Sequence, residues 1–432
     1  MASIPQLYQH YLKHRTICTD TRAIAPGCLF FALKGDHFDA NTFAEKALAE
    51  GAAFAVIDNV KFKLNDRCIL VSDVLTTLQE LAKYHRNQLK IPVIGLTGSN
   101  GKTTTKELIR AVLAERYQTF ATHGNLNNHI GVPLSILAIP ENTEIAVIEM
   151  GANHQKEIEF LCEIAQPTHG LISNVGLAHL DGFGGFEGVK KGKGELFTYL
   201  KQHNGYTFVN KDNLFLQEMS AVANLTNPIY YGSDPNNFVS GKLIHSDPFI
   251  ELEWSDKKEN HHAKANLTGT YNFENILAAI CIACFFEVAA EQINRGLANY
   301  FPNNNRSQLT KTDKNTIICD FYNANPSSMV AALNNLKALT ATRKIAILGD
   351  MFELGEESQE QHQKIVSLAA SCNFEQMVFI GENFYKCAGH EGQFFRATAE
   401  AQKFILEQDF KDALILLKGS RGMKLELLLG DL

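Results

Sequence analysis

No stretch of about 18 consecutive apolar residues occurs in this chain, so no membrane-spanning helix is expected. Basic residues are not in excess. Lys and Arg number 40 against 47 Asp and Glu, and the net charge of −7 lacks the electrostatic footprint of a nucleic-acid-binding protein. A disulfide framework is also missing: nine cysteines are odd in number, scattered and mostly set among apolar neighbours. That pattern fits reduced thiols and predicts a cytoplasmic protein. Cys281 and Cys284 do form a C-x-x-C, but inside an apolar helical run over 276–286. With no second pair and no nearby His, it reads as buried core rather than a redox or zinc site. Residues 1–5 lack the charged and apolar regions of a signal peptide, so none is expected. No internal repeat or low-complexity tract is visible. At 432 residues, 45% hydrophobic and 20% charged, the composition is that of an ordinary globular chain of about three domains.

Against these absences stands one dense motif, Thr97-Gly98-Ser99-Asn100-Gly101-Lys102-Thr103-Thr104. An apolar run over 93–96 reads as a buried parallel strand, and a helix begins near Lys102. A phosphate needs closely approaching backbone N–H groups, a helix N-terminus, a mobile cation and a hydroxyl for magnesium. Gly98 and Gly101 permit the turn, Lys102 supplies the cation from a solvent-facing loop, and Thr103 supplies the hydroxyl. The strict Walker spacing is not met, because its first Gly would fall at Leu96. The loop is a shorter variant, and it predicts binding of a nucleotide triphosphate. No Asn-Lys-x-Asp guanine motif accompanies it, which speaks against a GTPase.

Three α/β segments are expected. Residues 1–88 hold short strands at 28–33, 54–57 and 68–71 with helices at 42–50 and 74–87. From 89 to 303, strands and helices alternate (145–149, 155–165, 170–173), as in a parallel sheet with ligand groups at the strands' carboxyl ends. Around 238–254 the period shortens towards two, predicting an antiparallel β insertion. After the polar stretch 300–305, residues 304–432 carry strands at 316–319, 345–348, 377–380 and 414–417, a second open, Rossmann-like α/β unit.

Several side chains could do chemistry. Glu149 ends a buried strand, placed for magnesium or for positioning a nucleophile. His179 follows another apolar strand, expected to neighbour that of Glu149 in the sheet. Lys190, Lys191 and Lys193 precede Gly194-Glu195-Leu196-Phe197, and the first two read as a solvated helix face. Arg306 could swing over a transferred phosphate, and Asp320, at a strand end, could hold a ribose or magnesium.

Taken in order, these motifs resemble the Mur ligases of bacterial cell-wall synthesis. The likeness includes Gly124-Asn125-Leu126-Asn127-Asn128-His129, Glu149-Met150-Gly151, Ala178-His179-Leu180-Asp181-Gly182 and Gly269-Thr270-Tyr271-Asn272-Phe273-Glu274-Asn275. Within the family the chain is most similar to the MurF branch, through Asp320-Phe321-Tyr322-Asn323-Ala324-Asn325-Pro326, Leu348-Gly349-Asp350-Met351-Phe352-Glu353-Leu354-Gly355 and Lys418-Gly419-Ser420-Arg421. It departs from the family pattern at Asp20-Thr21-Arg22 (usually Asp-Ser-Arg), at Asp39-Ala40-Asn41 (usually Asp-Gly-His) and at Tyr271 (usually His).

The resemblance implies a three-domain ATP-dependent ligase that joins D-alanyl-D-alanine to UDP-N-acetylmuramoyl-tripeptide through an acyl phosphate. The first domain would receive the UDP end near Thr21 and Arg22. Lys102 and Arg306 would bind transferred phosphate beside Gly98, Ser99, Asn100, Gly101, Thr103 and Thr104. Thr103 and Glu149 would hold one magnesium ion; His179 and Lys193 would hold a second, Lys193 as a carbamate, the alternative being an unmodified lysine that neutralises the acyl phosphate directly. Asn272 and Asn275 would contact adenine, Asp320 the ribose or the hinge, and Asn127 and Asn128 the muramoyl peptide. The dipeptide would lie near Tyr322, Asn323 and Asn325. A monomer is expected, and the third tripeptide residue is left open between lysine and diaminopimelate. Other amide ligases of the superfamily, including folylpolyglutamate synthetases, and P-loop kinases or switches are the rival readings.

Overall fold

The computed structural model describes residues 1–432, built on three main sheets. The first is four-stranded and parallel, ordered Ile17–Cys18, Leu29–Phe31, Phe54–Ile57, Cys68–Leu70. The helix Val74–Gln88 follows, its N-terminus capped by Asp73, whose Oδ1 accepts from Thr76 N at 2.7 Å. Its apolar stripe Val74, Leu78, Leu81 and Ala82 recurs at helical spacing. These residues share one buried core with Leu7 and Tyr11 on one side and with Ile136 and Leu161 of the central segment on the other. Each such leucine contributes about 1.5–3 kcal/mol by leaving water. The joint between the first two segments is therefore held by apolar burial.

The central sheet has nine strands. Val93–Thr97 lies between Ile145–Glu149 and His169–Ile172 and runs parallel to both, so the strand that precedes His179 is separated from that of Glu149 by the phosphate-loop strand rather than adjacent to it as expected. Its side chains are buried on both faces, which explains why the sequence is apolar throughout rather than alternating. Ile94 and Leu96 enter one core and Val93 the other. Gly95 is required by space, since a Cβ there would come within 2.8 Å of Met150 and 2.9 Å of Pro167. The strands Val239–His245, Ile250–Ser255 and Asn260–Ala265 pair antiparallel as expected. They extend the same sheet through a parallel pairing of Val239–His245 with Ile229–Gly232. The helix Asn272–Phe285 carries Cys281 and Cys284 as packing residues, and all nine cysteines are free.

The third sheet is ordered Gln308–Lys311, Thr316–Asp320, Ala413–Lys418, Arg343–Gly349, Gln376–Ile380, Gln393–Phe395, and only its first strand is antiparallel. Asp320, Lys418 and Gly349 thus end adjacent parallel strands on one edge, where an open α/β sheet presents its ligand groups. No helix is long and apolar enough to cross a membrane.

Candidate active site

The phosphate loop joins the central strand Val93–Thr97 to the helix Lys102–Leu113. Gly98 takes φ +147, and a Cβ would fall 2.1 Å from Ser173 Oγ. Gly101, at φ +75, faces Asn275, whose Oδ1 would be 2.7 Å from a Cβ. Only glycine meets both demands, of conformation and of space. The first N–H groups of the helix have no partner inside it, which gives the loop a positive pole.

Glu149 closes the next strand and is almost fully buried. Its Oε1 accepts from Asn127 Nδ2 at 2.8 Å and from Thr103 Oγ1 at 3.2 Å, and its backbone N–H donates to Thr122 Oγ1 at 3.0 Å. Its Oε2 is buried without a hydrogen bond. The nearest cation is Lys106, itself fully buried, with Nζ 3.8 Å from Oε2 and donating to Thr122 O at 2.6 Å. An orphaned carboxylate oxygen beside a threonine hydroxyl at a phosphate loop is a donor set that fits magnesium, which takes one or two carboxylates and completes its shell with phosphates and water.

Lys102 is not the solvent-facing loop residue expected. It opens the helix and folds back, donating through Nζ to Gly98 O at 2.7 Å and Ser99 O at 3.2 Å. Burial lowers its pKa from 10.5 to about 8, against the pull of Glu149 and with a further push from Arg306.

A cleft of about 730 Å³ runs from this loop to the third sheet. Ser99, Asn100, Gly101, Lys102, Thr104, Asn127, Asn128, Glu149, His179, Asn272, Asn275, Arg306, Asp320, Tyr322, Asn323 and Asn325 all line it. Two helix N-termini meet across it. Asn325 caps the helix Pro326–Ala338 with its Oδ1 on Ser328 N (2.9 Å), and its Nδ2 donates to Asn100 Oδ1 of the phosphate loop at 2.7 Å. Asn100 Nδ2 in turn donates to Ser327 Oγ at 2.9 Å.

The segments composing this site match two family models, the Mur ligase middle domain over residues 96–283 and the Mur ligase glutamate ligase domain over 305–421. The chain is 36% identical to UDP-N-acetylmuramoyl-tripeptide--D-alanyl-D-alanine ligase of Bacillus subtilis (strain 168), covering 96% of this chain and 92% of that protein. It belongs to the Mur ligase family. A protein of the same name from Escherichia coli (strain K12) is 34% identical, with 95% and 92% covered. A crystal structure of MurF from Acinetobacter baumannii superposes with a TM-score of 0.86 at 30% identity, covering 96% of this chain and 92% of that one.

Within this Mur ligase, five expected site residues lie off the cleft wall. Gly98 and Thr103 are on its loop, Thr103 one hydrogen bond behind Glu149. Thr21 and Arg22 sit in a short 3₁₀ turn of the first segment, where Arg22 clasps Asp20 at 2.6–3.0 Å. Lys193 is buried in the helix Phe186–Gln202, donating to Ala152 O at 3.0 Å, with Nζ 4.9 Å from the Phe183 ring centre. Burial, and then the Lys102 charge, push its pKa well below the ordinary lysine value. His179, left-handed at φ +54, meets the Glu353 carboxylate from the third segment, which holds Glu353 below its usual pKa. The two expected ligands of a second metal are thus each engaged elsewhere, His179 with Glu353 and Lys193 with Ala152 O.

Other residues are engaged internally. Asn128 Oδ1 accepts from Ile130 N and Gly131 N at 3.1 and 2.8 Å, just ahead of the helix Gly131–Leu137. Asn272 and Asn275 are joined at 2.9 Å, and Asn275 accepts from Thr105 Oγ1 at 3.0 Å. Asp320 accepts from Lys418 Nζ at 2.7 Å and from Ser307 N at 3.1 Å. Lys106 carried no expected role, and Glu353 and Arg421 were singled out only as members of their motifs, with no contact expected of either. For Lys106 the signal was available, since it lies one turn beyond Lys102 on the same helix.

Proposed function

We propose that this chain joins D-alanyl-D-alanine to UDP-N-acetylmuramoyl-tripeptide at the expense of ATP, releasing ADP and phosphate. The observation that carries the reading is the buried Glu149, with its free oxygen, facing the phosphate loop in a cleft closed by a second α/β segment. The curated relatives' names and a 26%-identical MurF of Thermotoga maritima solved with ADP (TM-score 0.85) support it. Residues 1–88 take the UDP end through Thr21 and Arg22, 89–303 take ATP, and 304–432 take the amine and complete the nucleotide site.

In the first step a carboxylate oxygen of the tripeptide attacks the γ-phosphorus and ADP leaves. Two anions must meet, so the barrier falls with the positive charge of Lys102, Arg306 and the helix pole. Magnesium held by Thr103 and Glu149 would neutralise charge on the phosphates. Asn127, already on Glu149, orients the muramoyl peptide with Asn128; Asn272 and Asn275 face adenine; Asp320 faces the ribose. In the second step the dipeptide nitrogen attacks the acyl carbon, the tetrahedral intermediate collapses, and the carbon–oxygen bond to phosphate breaks. Tyr322 and Asn323 border the dipeptide. Asn325, with both ends of its amide engaged, serves closure rather than the contact first expected of it.

Lys193 fits a carbamate role beside His179 at a second magnesium. An amine whose pKa is lowered by burial is neutral more of the time, and only the neutral form adds carbon dioxide. All residues proposed for the nucleotide and amine sites belong to one chain, which favours a monomer, and nine free cysteines favour the cytoplasm. The test is phosphate release from ATP and the UDP-linked tripeptide with a panel of amines. D-alanyl-D-alanine should stimulate it, and stimulation by diaminopimelate, lysine or glutamate instead would overturn the reading.

A further inference from the structure

Two guanidinium groups beside the cleft have no acid to answer them. Arg306, half-buried, holds its Cζ 3.9 Å from the centre of the Tyr322 ring, and Arg421, exposed at the rim, lies 5.4 Å from the same centre. Their neighbour Lys418 is neutralised by Asp320 at 2.7 Å. The ring face attracts each cation by only about 0.5–1 kcal/mol, and the two cations repel each other, so the arrangement favours anions. Arg306 is committed to phosphate. Arg421 is left for a second anion.

Arg421 stands in a turn fixed to the loop that carries Glu353. Ser420 N donates to Asp350 O, and Phe352 N donates to Ser420 Oγ, both at 3.1 Å. Asp350 is itself anchored, accepting from Asn383 N and Phe384 N at 2.9 Å. The two loops leave the carboxyl ends of the adjacent parallel strands Ala413–Lys418 and Arg343–Gly349. Glu353 adopts φ +63, a left-handed conformation that a side chain takes at a cost of about 1–2 kcal/mol, and this aims its carboxylate at His179 across the cleft. One free cation and one carboxylate are thus presented from two mutually braced loops.

We propose that Arg421 and Glu353 clamp the two ends of a zwitterionic dipeptide, Arg421 gripping its terminal carboxylate and Glu353 accepting from its amino group. The inference rests on the ligase reading above and adds the residues that select the amine. The polarity follows from the contacts. Glu353 meets His179, on the central segment where the acyl group forms, so the amino end lies there and the carboxylate points to the rim. A guanidinium offers a planar pair of donors that matches a carboxylate. Recognition by both ends also accounts for a free dipeptide being taken rather than an internal peptide segment.

The experiment compares D-alanyl-D-alanine with its C-terminal amide, which lacks the negative charge. The full chain is assayed with ATP and the UDP-linked tripeptide. Wild type should prefer the acid by about tenfold to hundredfold in kcat/KM, the range for hydrogen bonds to charged groups. Arg421→Ala should lose that factor on the acid alone, through KM, so that acid and amide converge to within about threefold, with KM for ATP held within about threefold. Arg421→Lys should recover part of the preference. Glu353→Gln should raise KM for acid and amide alike, by about tenfold. An Arg421→Ala protein that still prefers the acid as wild type does would overturn the clamp, as would a Glu353→Gln protein with unchanged KM. Wild-type failure to turn over either dipeptide would overturn the ligase reading itself, and the clamp with it.

Discussion

Replacing Lys102 with Met should stabilise the unliganded protein while destroying its nucleotide chemistry. The folded chain holds this ammonium where burial depresses its pKa from 10.5 to about 8. At about 1.4 kcal/mol per pH unit, that fall corresponds to about 3 kcal/mol against folding at neutral pH. Lys102 is only half-buried, so solvent screening reduces the figure, and its bonds to Gly98 O and Ser99 O are lost in the variant. A net gain of about 1–2 kcal/mol remains. The sign with pH follows from linkage. Between pH 8 and 10.5 the unfolded chain binds the proton more tightly than the folded one, so wild-type stability gains from this group as pH rises through that window. The advantage of Lys102→Met should accordingly shrink from pH 7.5 to pH 10. Trp254, the single tryptophan, is buried in the central sheet and reports its unfolding by fluorescence in urea. A variant less stable than wild type at pH 7.5, or an advantage that persists undiminished at pH 10, would refute the assignment of a strained cation at the loop. ATP turnover by the same variant should be undetectable.

Asp320→Asn should cost about 3 kcal/mol, because it leaves the buried Lys418 ammonium without its counter-charge; a thermal melt within a degree of wild type would contradict this. His169 is buried against Tyr206 with its rings stacked 5.0 Å apart, and burial lowers its pKa to about 4. Stability is therefore lost as pH falls from 6.5 towards 4, by about 2–3 kcal/mol, and His169→Phe should remove that slope from urea titrations across the same window. Asn100→Ala deletes the bonds to Asn325 and Ser327, worth about 2 kcal/mol together, and should open the cleft. Solution scattering would register a larger radius of gyration for this variant, and an unchanged radius would mean that other contacts hold the third segment in place.

What the sequence could reveal depended on how local each feature is. The strand, turn and helix around Gly98–Thr103 were legible because glycines, Lys102 and Thr103 act within one turn of chain. Glu149 was legible only through the phosphate loop beside it, since a carboxylate ending an apolar strand is on its own as readily a solvated strand end. The C-x-x-C was readable as core from its flanking residues alone. Ends were less distinct: the helix expected over 42–50 begins as a 3₁₀ turn, Ala40–Phe43, before Ala44–Ala49. The antiparallel strands were recognised from their period, but nothing local says that they join the main sheet. Contacts across the cleft were not readable at all. Asn325 meets Asn100 from 225 residues away, Glu353 meets His179 from another segment, and both arise only when two sheets face each other. Lys102 illustrates the same limit: its motif names a phosphate ligand but not the carbonyls to which it turns.

The identity of the product tests the ligase activity most directly. Purified protein, ATP, magnesium, UDP-N-acetylmuramoyl-tripeptide and D-alanyl-D-alanine should yield, by mass spectrometry, the UDP-linked tripeptide extended by two alanine residues, with one ADP formed per product. The same protein given UDP-linked tripeptide and ATP, yet returning the tripeptide unextended or joined to a single amino acid from a mixed pool, would contradict it.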